Sequence, residues 1–345
     1  MPPDDFAKRI RHAARAAEQA GRAPEADDLF RLAFEVEQAI APRAFSNRVF
    51  FEIAGIARPR TFRETEPIYA AGDAAPEFFL VVEGRIAVDR ATPFGPQPLG
   101  ISGPGDFAGA AEALLGVPRL GDAAAASETR LFAIPSAEVF GGAPSPELGD
   151  YLLRRLARQL RTLNDEFGKF FPSANGKGPI DGPAPAAPAE IPAEEKSKAL
   201  TASGLAAEDA GLVASVCREE AYALGAVIFR EGDEGHALSV VARGKVRISR
   251  RIAGAGEEAF AILEPGSVFG EMAVFDTDSP IRSADAIAHT DCTLLTLERD
   301  VIERLRRDAP EKAAPLTAAL CQLAARRIAE TSERLVRWRM MAGGF

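Results

Sequence analysis

The chain has 345 residues and a formal net charge of −9 at neutral pH, long enough for two domains that each bury a core. Its acidic balance excludes general affinity for nucleic acid or for an anionic membrane surface. Cys217, Cys292 and Cys321 are scattered, an odd count without CxxC spacing, which fits inert thiols in a reducing compartment and excludes a disulfide or cysteine-metal framework.

Met1 to Asp5 carries Pro and Asp where a secretion signal needs basic and then apolar residues. No later apolar run reaches the length of a membrane span. A cytoplasmic chain without membrane contact is expected. Residues 5 to about 40 read as two helices: Phe6, Ile10, Ala13 and Ala17 fall at helical spacing, and Leu29, Leu32, Val36 and Ile40 form a second stripe. Such a hairpin docks on the following domain or on a partner.

From Ala57 to Ile134 the texture changes to short alternating runs divided by turn residues, the pattern of a β-barrel or sandwich. Phe78 to Val88 reads as two strands joined at Glu83-Gly84. Tyr151 to Phe167 predicts a helix with Leu152, Leu156, Leu160 and Leu163 on one face. Pro172 to Pro192 is rich in Pro, Ala and Gly without periodicity and reads as a linker. Helical texture resumes from Glu194 to Cys217, a second β region runs from about Tyr222 to Leu297, and a long helical pattern from about Pro315 to Met340 closes the chain. The expected division is an N-terminal helical segment at 1–44, a first domain at 45–171, a linker at 172–196 and a second domain at 197–345.

The two β regions are copies of one another. Gly72-Asp73 recurs as Gly232-Asp233, Glu83-Gly84-Arg85 as Arg243-Gly244-Lys245, and Pro104-Gly105 as Pro265-Gly266. Phe107 is matched to Phe269, Arg119 to Arg282, and Leu131 to Ile134 aligns with Leu294 to Leu297. Each copy reads as helix, β-roll, short connecting cassette and helix.

In the second copy, Val268-Phe269-Gly270-Glu271-Met272-Ala273 is followed after a loop by Arg282-Ser283-Ala284. A Gly-Glu pair opening a short helix frees backbone N–H groups that can point at an anion. A carboxylate repels a phosphate and suits a sugar hydroxyl instead, whereas the planar, permanently charged fork of Arg282 matches a phosphate. Together they describe a site for a phosphorylated ribose. The pattern resembles the phosphate-binding cassette of the cyclic nucleotide-binding domains, shared by the catabolite activator protein, cyclic-nucleotide-gated channels and protein kinase A regulatory subunits. The resemblance implies two tandem β-rolls of the double-stranded β-helix, jelly-roll kind, mainly β with flanking α, each followed by a helix. It implies that Gly270 and the N–H groups of Met272 and Ala273 hold the cyclic phosphate. Glu271 would take the ribose 2′-hydroxyl, and Arg282 with Ser283 the phosphate.

The first cassette departs from this pattern. It reads Phe107-Ala108-Gly109-Ala110-Ala111-Glu112 and then reaches Arg119. Whichever way the glycine is aligned, Gly109 or Ala110 stands at the position of Glu271, and neither can accept a ribose hydroxyl. Leu120 stands in the place of Ser283, and Glu112 is a candidate substitute for the missing carboxylate. Losing one charge-assisted hydrogen bond costs about 1.5–3 kcal/mol, so Gly109, Ala110 and Arg119 are expected to form a degenerate site.

On the closing helix, Thr331-Ser332 resembles the Thr-Ser pair that meets the adenine amine in the activator branch of that family, the Thr in its own subunit and the Ser across a dimer. A hydroxyl can equally donate to the 6-oxo group of guanine. The resemblance therefore favours cyclic AMP and leaves cyclic GMP open. Ala324, Ile328, Thr331, Leu335 and Trp338 form a four-three seam that needs a partner helix. One candidate is the same helix of a second chain, making a homodimer, which the greater length of this helix favours. The other is the helix at Leu152 to Phe167 of the same chain, which would bring Asn164 toward the second pocket.

The activator branch continues into a helix-turn-helix domain after this helix. No such segment follows in this sequence, so direct DNA reading is not expected. The β-roll also resembles metal-dependent cupins, but His12, His236 and His289 are isolated from one another, which does not suit a metal site. No nucleophile motif, P-loop or dinucleotide fingerprint is present. The reading is a non-enzymatic receptor that binds cyclic AMP or cyclic GMP as an allosteric ligand and signals to an effector protein. The alternatives are a scaffold that keeps the fold without ligand and a regulatory subunit of an enzyme held in trans.

Overall fold

The computed structural model describes residues 56–140, 146–170, 190–205, 207–252, 256–275 and 280–341. The expected N-terminal segment, 1–44, and most of the expected linker, 172–196, lie outside the described residues. One compact unit holds the described residues up to Leu152 with those from Val336 onward, and the other comprises Leu153–Leu335.

Alternating apolar and polar residues in short runs produce eight strands in the first unit. They are β1 (Arg58–Phe62), β2 (Pro67–Tyr69), β3 (Glu77–Glu83), β4 (Ile86–Arg90), β5 (Gln97–Ser102), β6 (Phe107–Ala108), β7 (Asp122–Ala125) and β8 (Thr129–Pro135). Helix α1 (Ala110–Leu115) separates β6 from β7, and α2 (Ser136–Phe140) and α3 (Pro146–Gly168) follow the strands. In the second unit, α4 (Ala193–Ala202) and α5 (Ala207–Val216) precede β9 (Arg218–Tyr222), β10 (Val227–Phe229), β11 (Ala237–Arg243), β12 (Val246–Ile252), β13 (Gly256–Leu263) and β14 (Val268–Phe269). Then come α6 (Glu271–Phe275), β15 (Asp285–Ala288), β16 (Cys292–Glu298), α7 (Arg299–Asp308) and α8 (Pro310–Met341).

Strand pairing turns the internal repeat into one topology used twice. The first roll stacks a sheet in the order β1-β8-β3-β6 on another in the order β2-β7-β4-β5, and the second repeats both orders as β9-β16-β11-β14 and β10-β15-β12-β13. This is the tandem β-roll architecture expected from the repeat. Val81, Ile86 and Leu131 fill the core of one roll where Val241, Val246 and Leu294 fill the other. Gly84 and Gly244, at φ +80° and +72°, make the tight turns by which the chain passes from one sheet to the other, between β3 and β4 and between β11 and β12.

Register corrects one detail of the repeat. Phe107 pairs with Leu80 as Val268 pairs with Val240, and Ala108 pairs with Phe79 as Phe269 pairs with Ser239. The counterpart of Phe107 is thus Val268, and Phe269 answers to Ala108. The cores have exchanged a large-small cross-strand pair for a small-large one, which keeps the volume between the sheets.

The closing helix begins earlier than expected, at Pro310, and carries Pro315 inside it. Pro310 needs no N–H in the first turn, so it starts the helix at little cost. Pro315 then forfeits only one backbone bond near the end of the element. Two apolar seams, Leu152, Leu156, Leu160 and Leu163 on α3 and Ala324, Ile328 and Leu335 on α8, are buried within the single chain. Among the described residues no helix is long and apolar enough to cross a membrane.

Candidate functional site

Strand β14 delivers the chain to Gly270, whose φ of +78° lies in the left-handed region. That residue has to be small as well as flexible, because a Cβ there would collide with Arg282 Nη1. Arg282 donates from Nη1 to the Gly270 carbonyl at 2.7 Å and from Nη2 to the Ala237 carbonyl at 2.8 Å. Its guanidinium carbon sits 4.1 Å from the centroid of the Phe229 ring. The fork is therefore fixed in plane by two carbonyls and one aromatic face, while Nε is buried with no hydrogen-bond partner among the described residues. Burial lowers the proton affinity of Arg282, and the negative charge of Glu271 opposes that shift. Guanidinium remains charged in any case, so the site holds a buried cation.

Glu271 opens α6 and is only 3% exposed. Its Oε1 makes no hydrogen bond, and the ion pair it faces is Arg327 Nη1 on α8, at 3.1 Å. The same Arg327 nitrogen donates to the Val268 carbonyl at 2.8 Å, which ties the closing helix to the start of the cassette. Thr331 lies one helical turn further along α8 and faces the same cavity.

These groups surround a cavity that opens to solvent, with about 790 Å³ of empty space when the part continuous with solvent is counted. Gly270, Glu271, Met272, Ala273, Arg282 and Ser283 all line it, and so does Thr331. Ser332 does not; it is buried at 6% exposure beside a cavity whose α8 lining is Arg327, Thr331 and Arg334. Phe229, Ile248 and Phe260 supply apolar walls from the strands. An apolar slot beside a carboxylate and a guanidinium can take a flat ring, a hydroxyl and an anion at once. Sequence reasoning missed Arg327, although its i, i+4 spacing to Thr331 puts both on one helix face. It also missed Arg250, which lines the cavity and donates to the Ser283 carbonyl at 2.8 Å.

The first cassette keeps the scaffold and lacks the acceptor. Gly109 has φ +66°, and Arg119 donates from Nη1 to its carbonyl at 2.7 Å, with Nη2 on the Glu77 carbonyl. The Arg119 guanidinium lies 4.3 Å from the Tyr69 ring centroid, the same pose that Arg282 takes on Phe229. Gly109 thus corresponds to Gly270 and Ala110 to Glu271, which removes the alternative alignment. The carboxylate of Glu112 accepts from the Leu120 N–H at 3.4 Å. Burial first, and then the charge of Glu112, raises the Tyr69 hydroxyl well above its usual range, so Tyr69 stays neutral. Among the described residues no group of three or more His, Cys, Asp or Glu side chains could hold a metal ion.

The family model for the cyclic nucleotide-binding domain matches residues 59–141 and again 219–309, together about half of the chain. The "Cyclic AMP receptor protein" of Thermus thermophilus is 42% identical over 132 residues, which cover 38% of this chain and 58% of that one. The "CRP-like cAMP-activated global transcriptional regulator" of Mycobacterium tuberculosis is 32% identical over 111 residues, covering 32% of this chain and 47% of that one. The chain spans about half the length of these curated relatives. Among solved structures, the regulatory domain of Toxoplasma gondii PKA with cAMP aligns over 83% of this chain and 97% of that one, at 16% identity and a TM-score of 0.30. Two matched rolls of identical strand order, each with a left-handed glycine clasped by a buried arginine, place this chain in the cyclic nucleotide-binding domain family.

Proposed function

We propose that the second domain, 197–345, is the receptor for a cyclic nucleotide, cyclic AMP before cyclic GMP, and that the first domain binds none. The observation that carries this reading is the cavity at the second cassette, where a buried, hydrogen-bond-free Glu271 oxygen and the Arg282 fork line one space with Thr331. Glu271 accepts the ribose 2′-hydroxyl, Arg282 and Ser283 take the cyclic phosphate, and Thr331 meets the base. In the first cassette Ala110 replaces the acceptor, and the relatives that are similar to this chain carry cyclic AMP in their names.

Arg327 gives the signal a route. A ribose hydroxyl on Glu271 competes with Arg327 for the same carboxylate, so ligand binding shifts the population of α8 positions relative to the cassette. An effector protein then reads α8, and the chain is a cytoplasmic receptor and not an enzyme. Ala324, Ile328 and Leu335 of α8 are buried in one chain and Trp338 is half-buried; a homodimer through α8 and the one-chain arrangement both belong to this reading.

Isothermal titration of the full chain with cyclic AMP and cyclic GMP, beside the Arg282→Ala variant, tests this. One site per chain, preferring cyclic AMP and lost in the variant, is the expected result. Two equal sites would contradict the assignment of the first cassette. No heat with either nucleotide would leave the scaffold reading in its place.

A further inference from the structure

The end of helix α3 belongs to the same compact unit as the second cassette, and it is fastened to the cavity at three points. Arg161 Nη1 donates to the Ile281 carbonyl at 3.2 Å, just before Arg282. Asn164 Nδ2 lies 3.4 Å from Met272 Sδ. Gly168 approaches Arg250 so closely that a Cβ would collide with its guanidinium. Helix α3 follows the first roll in sequence and walls the cavity of the second.

Asn164 is the polar side chain that this wall presents to the cavity. Its amide nitrogen meets only a thioether among the described residues, and sulfur is a weak acceptor. The arginines that line the same space are occupied: Arg250 by the Ser283 carbonyl and Glu231, Arg334 by the Phe260 carbonyl, and Arg327 by Glu271. With ribose and phosphate assigned to the cassette, the hydrogen-bonding groups left to meet a base are Asn164 and Thr331. A hydroxyl rotates to suit either purine. A carboxamide offers one donor and one acceptor side by side, and that pair matches the 6-amino group and N7 of adenine. Guanine shows two acceptors on that edge, so one of the contacts becomes repulsive.

We propose that Asn164 is the specificity-determining residue of the second site, reading the N6/N7 edge of adenine from a helix of the same chain. The inference rests on the receptor reading above and adds to it the element that chooses the base. It also supplies, without a second copy, the wall that the sequence left open between a homodimer and one chain.

The test is titration of the full-length wild type, Asn164→Ala and Arg282→Ala with three ligands. These are cyclic AMP, cyclic GMP and the cyclic purine nucleotide that lacks the 6-amino group. Asn164 is half-buried, so Asn164→Ala should melt with the wild type. The expected result is about a tenfold loss of cyclic AMP affinity in Asn164→Ala, with cyclic GMP affinity changed less than about threefold on the same scale. The ligand without the 6-amino group should bind the wild type with reduced affinity and should lose less than cyclic AMP does in Asn164→Ala, because only the N7 contact is left for the substitution to remove. Unchanged preference in Asn164→Ala, or an equal loss for both natural nucleotides, overturns the inference while Arg282→Ala still reports the receptor. Absence of binding to the wild type overturns both.

Discussion

Arg327 Nη1 stands 3.1 Å from Glu271 Oε1, and the carboxylate is almost fully buried while the arginine keeps about a quarter of its side chain exposed. One partner is therefore held in the cassette and the other on α8, and the pair is unequal. Removing the arginine strands a buried charge, whereas removing the charge leaves a cation that can turn to water. Arg327→Ala is expected to lower unfolding stability by about 2–3 kcal/mol, less than for a fully buried pair. Glu271→Gln in the same chain should recover most of that loss, since an amide needs no counter-charge. Urea denaturation of the four members of this cycle measures it. Equal midpoints for wild type and Arg327→Ala would show that the pair contributes nothing.

Gly270 and Gly232 separate strain from collision. Both have positive φ, +78° and +85°, but a Cβ at Gly232 meets nothing within 4 Å, and one at Gly270 collides with Arg282. Gly232→Ala is expected to cost about 1–2 kcal/mol of stability from backbone strain alone. Gly270→Ala should cost more, because it also displaces the guanidinium, and cyclic nucleotide titration should weaken by at least about tenfold. A Gly270→Ala protein that binds like Gly232→Ala would mean that Arg282 does not need its present pose.

The repeat was legible because turns impose residue type: Gly72, Gly84 and Gly109 occupy left-handed positions, and so do Gly232, Gly244 and Gly270. Arg282 and Glu271 stood out because a guanidinium and a carboxylate beside a glycine turn suit a phosphate and a hydroxyl, and both line one cavity. Phe107 was misaligned because a hydrophobic residue on a two-residue strand carries no register of its own; the pairing of Leu80 with Phe107 sets it. Ser332 follows Thr331 by one position, and adjacent helical residues point about 100° apart, so Thr331 faces the cavity of its own chain and Ser332 does not, as the division of that pair between two subunits implies. Asn164 was legible only as one of two helix pairings, and Arg327 only as the residue one turn before Thr331; tertiary packing is what brings both to the cavity.

Burial also governs the thiols. Desolvation pushes Cys292 up to about 11 and Cys217 up to about 12, against an ordinary value near 8.5. At pH 8 the folded protein should therefore react with iodoacetamide at these two positions far more slowly than the urea-unfolded chain does. Mass spectrometry of labelled peptides against time reads the difference. The linkage has a definite sign: above about pH 8.5 the unfolded chain releases thiol protons that the folded chain keeps, so stability falls as pH rises toward 11. Below pH 8.5 these thiols should contribute no pH dependence. Rapid labelling of Cys292 at pH 8 in the folded state would contradict the buried placement.

Arg119 and Arg282 make the same bonds, yet they are expected to answer differently to removal. Each clasps the carbonyl of its left-handed glycine at 2.7 Å and lies over an aromatic ring. Each therefore holds its cassette in shape, and each alanine variant should lose about 2 kcal/mol of stability as buried carbonyls lose their donors. Binding separates them. Beside Arg282 stands Glu271, so the guanidinium can exchange carbonyl partners for a phosphate while the carboxylate takes the sugar. Beside Arg119 stands Ala110, and no such exchange is anchored. Arg282→Ala should weaken cyclic nucleotide binding by about a hundredfold or more, the scale of a lost charge-assisted pair, whereas Arg119→Ala should leave affinity and stoichiometry unchanged. Denaturation and titration of both variants give the comparison. If Arg119→Ala halves the stoichiometry, the first cassette binds ligand without a carboxylate, and the division of labour between the two rolls fails.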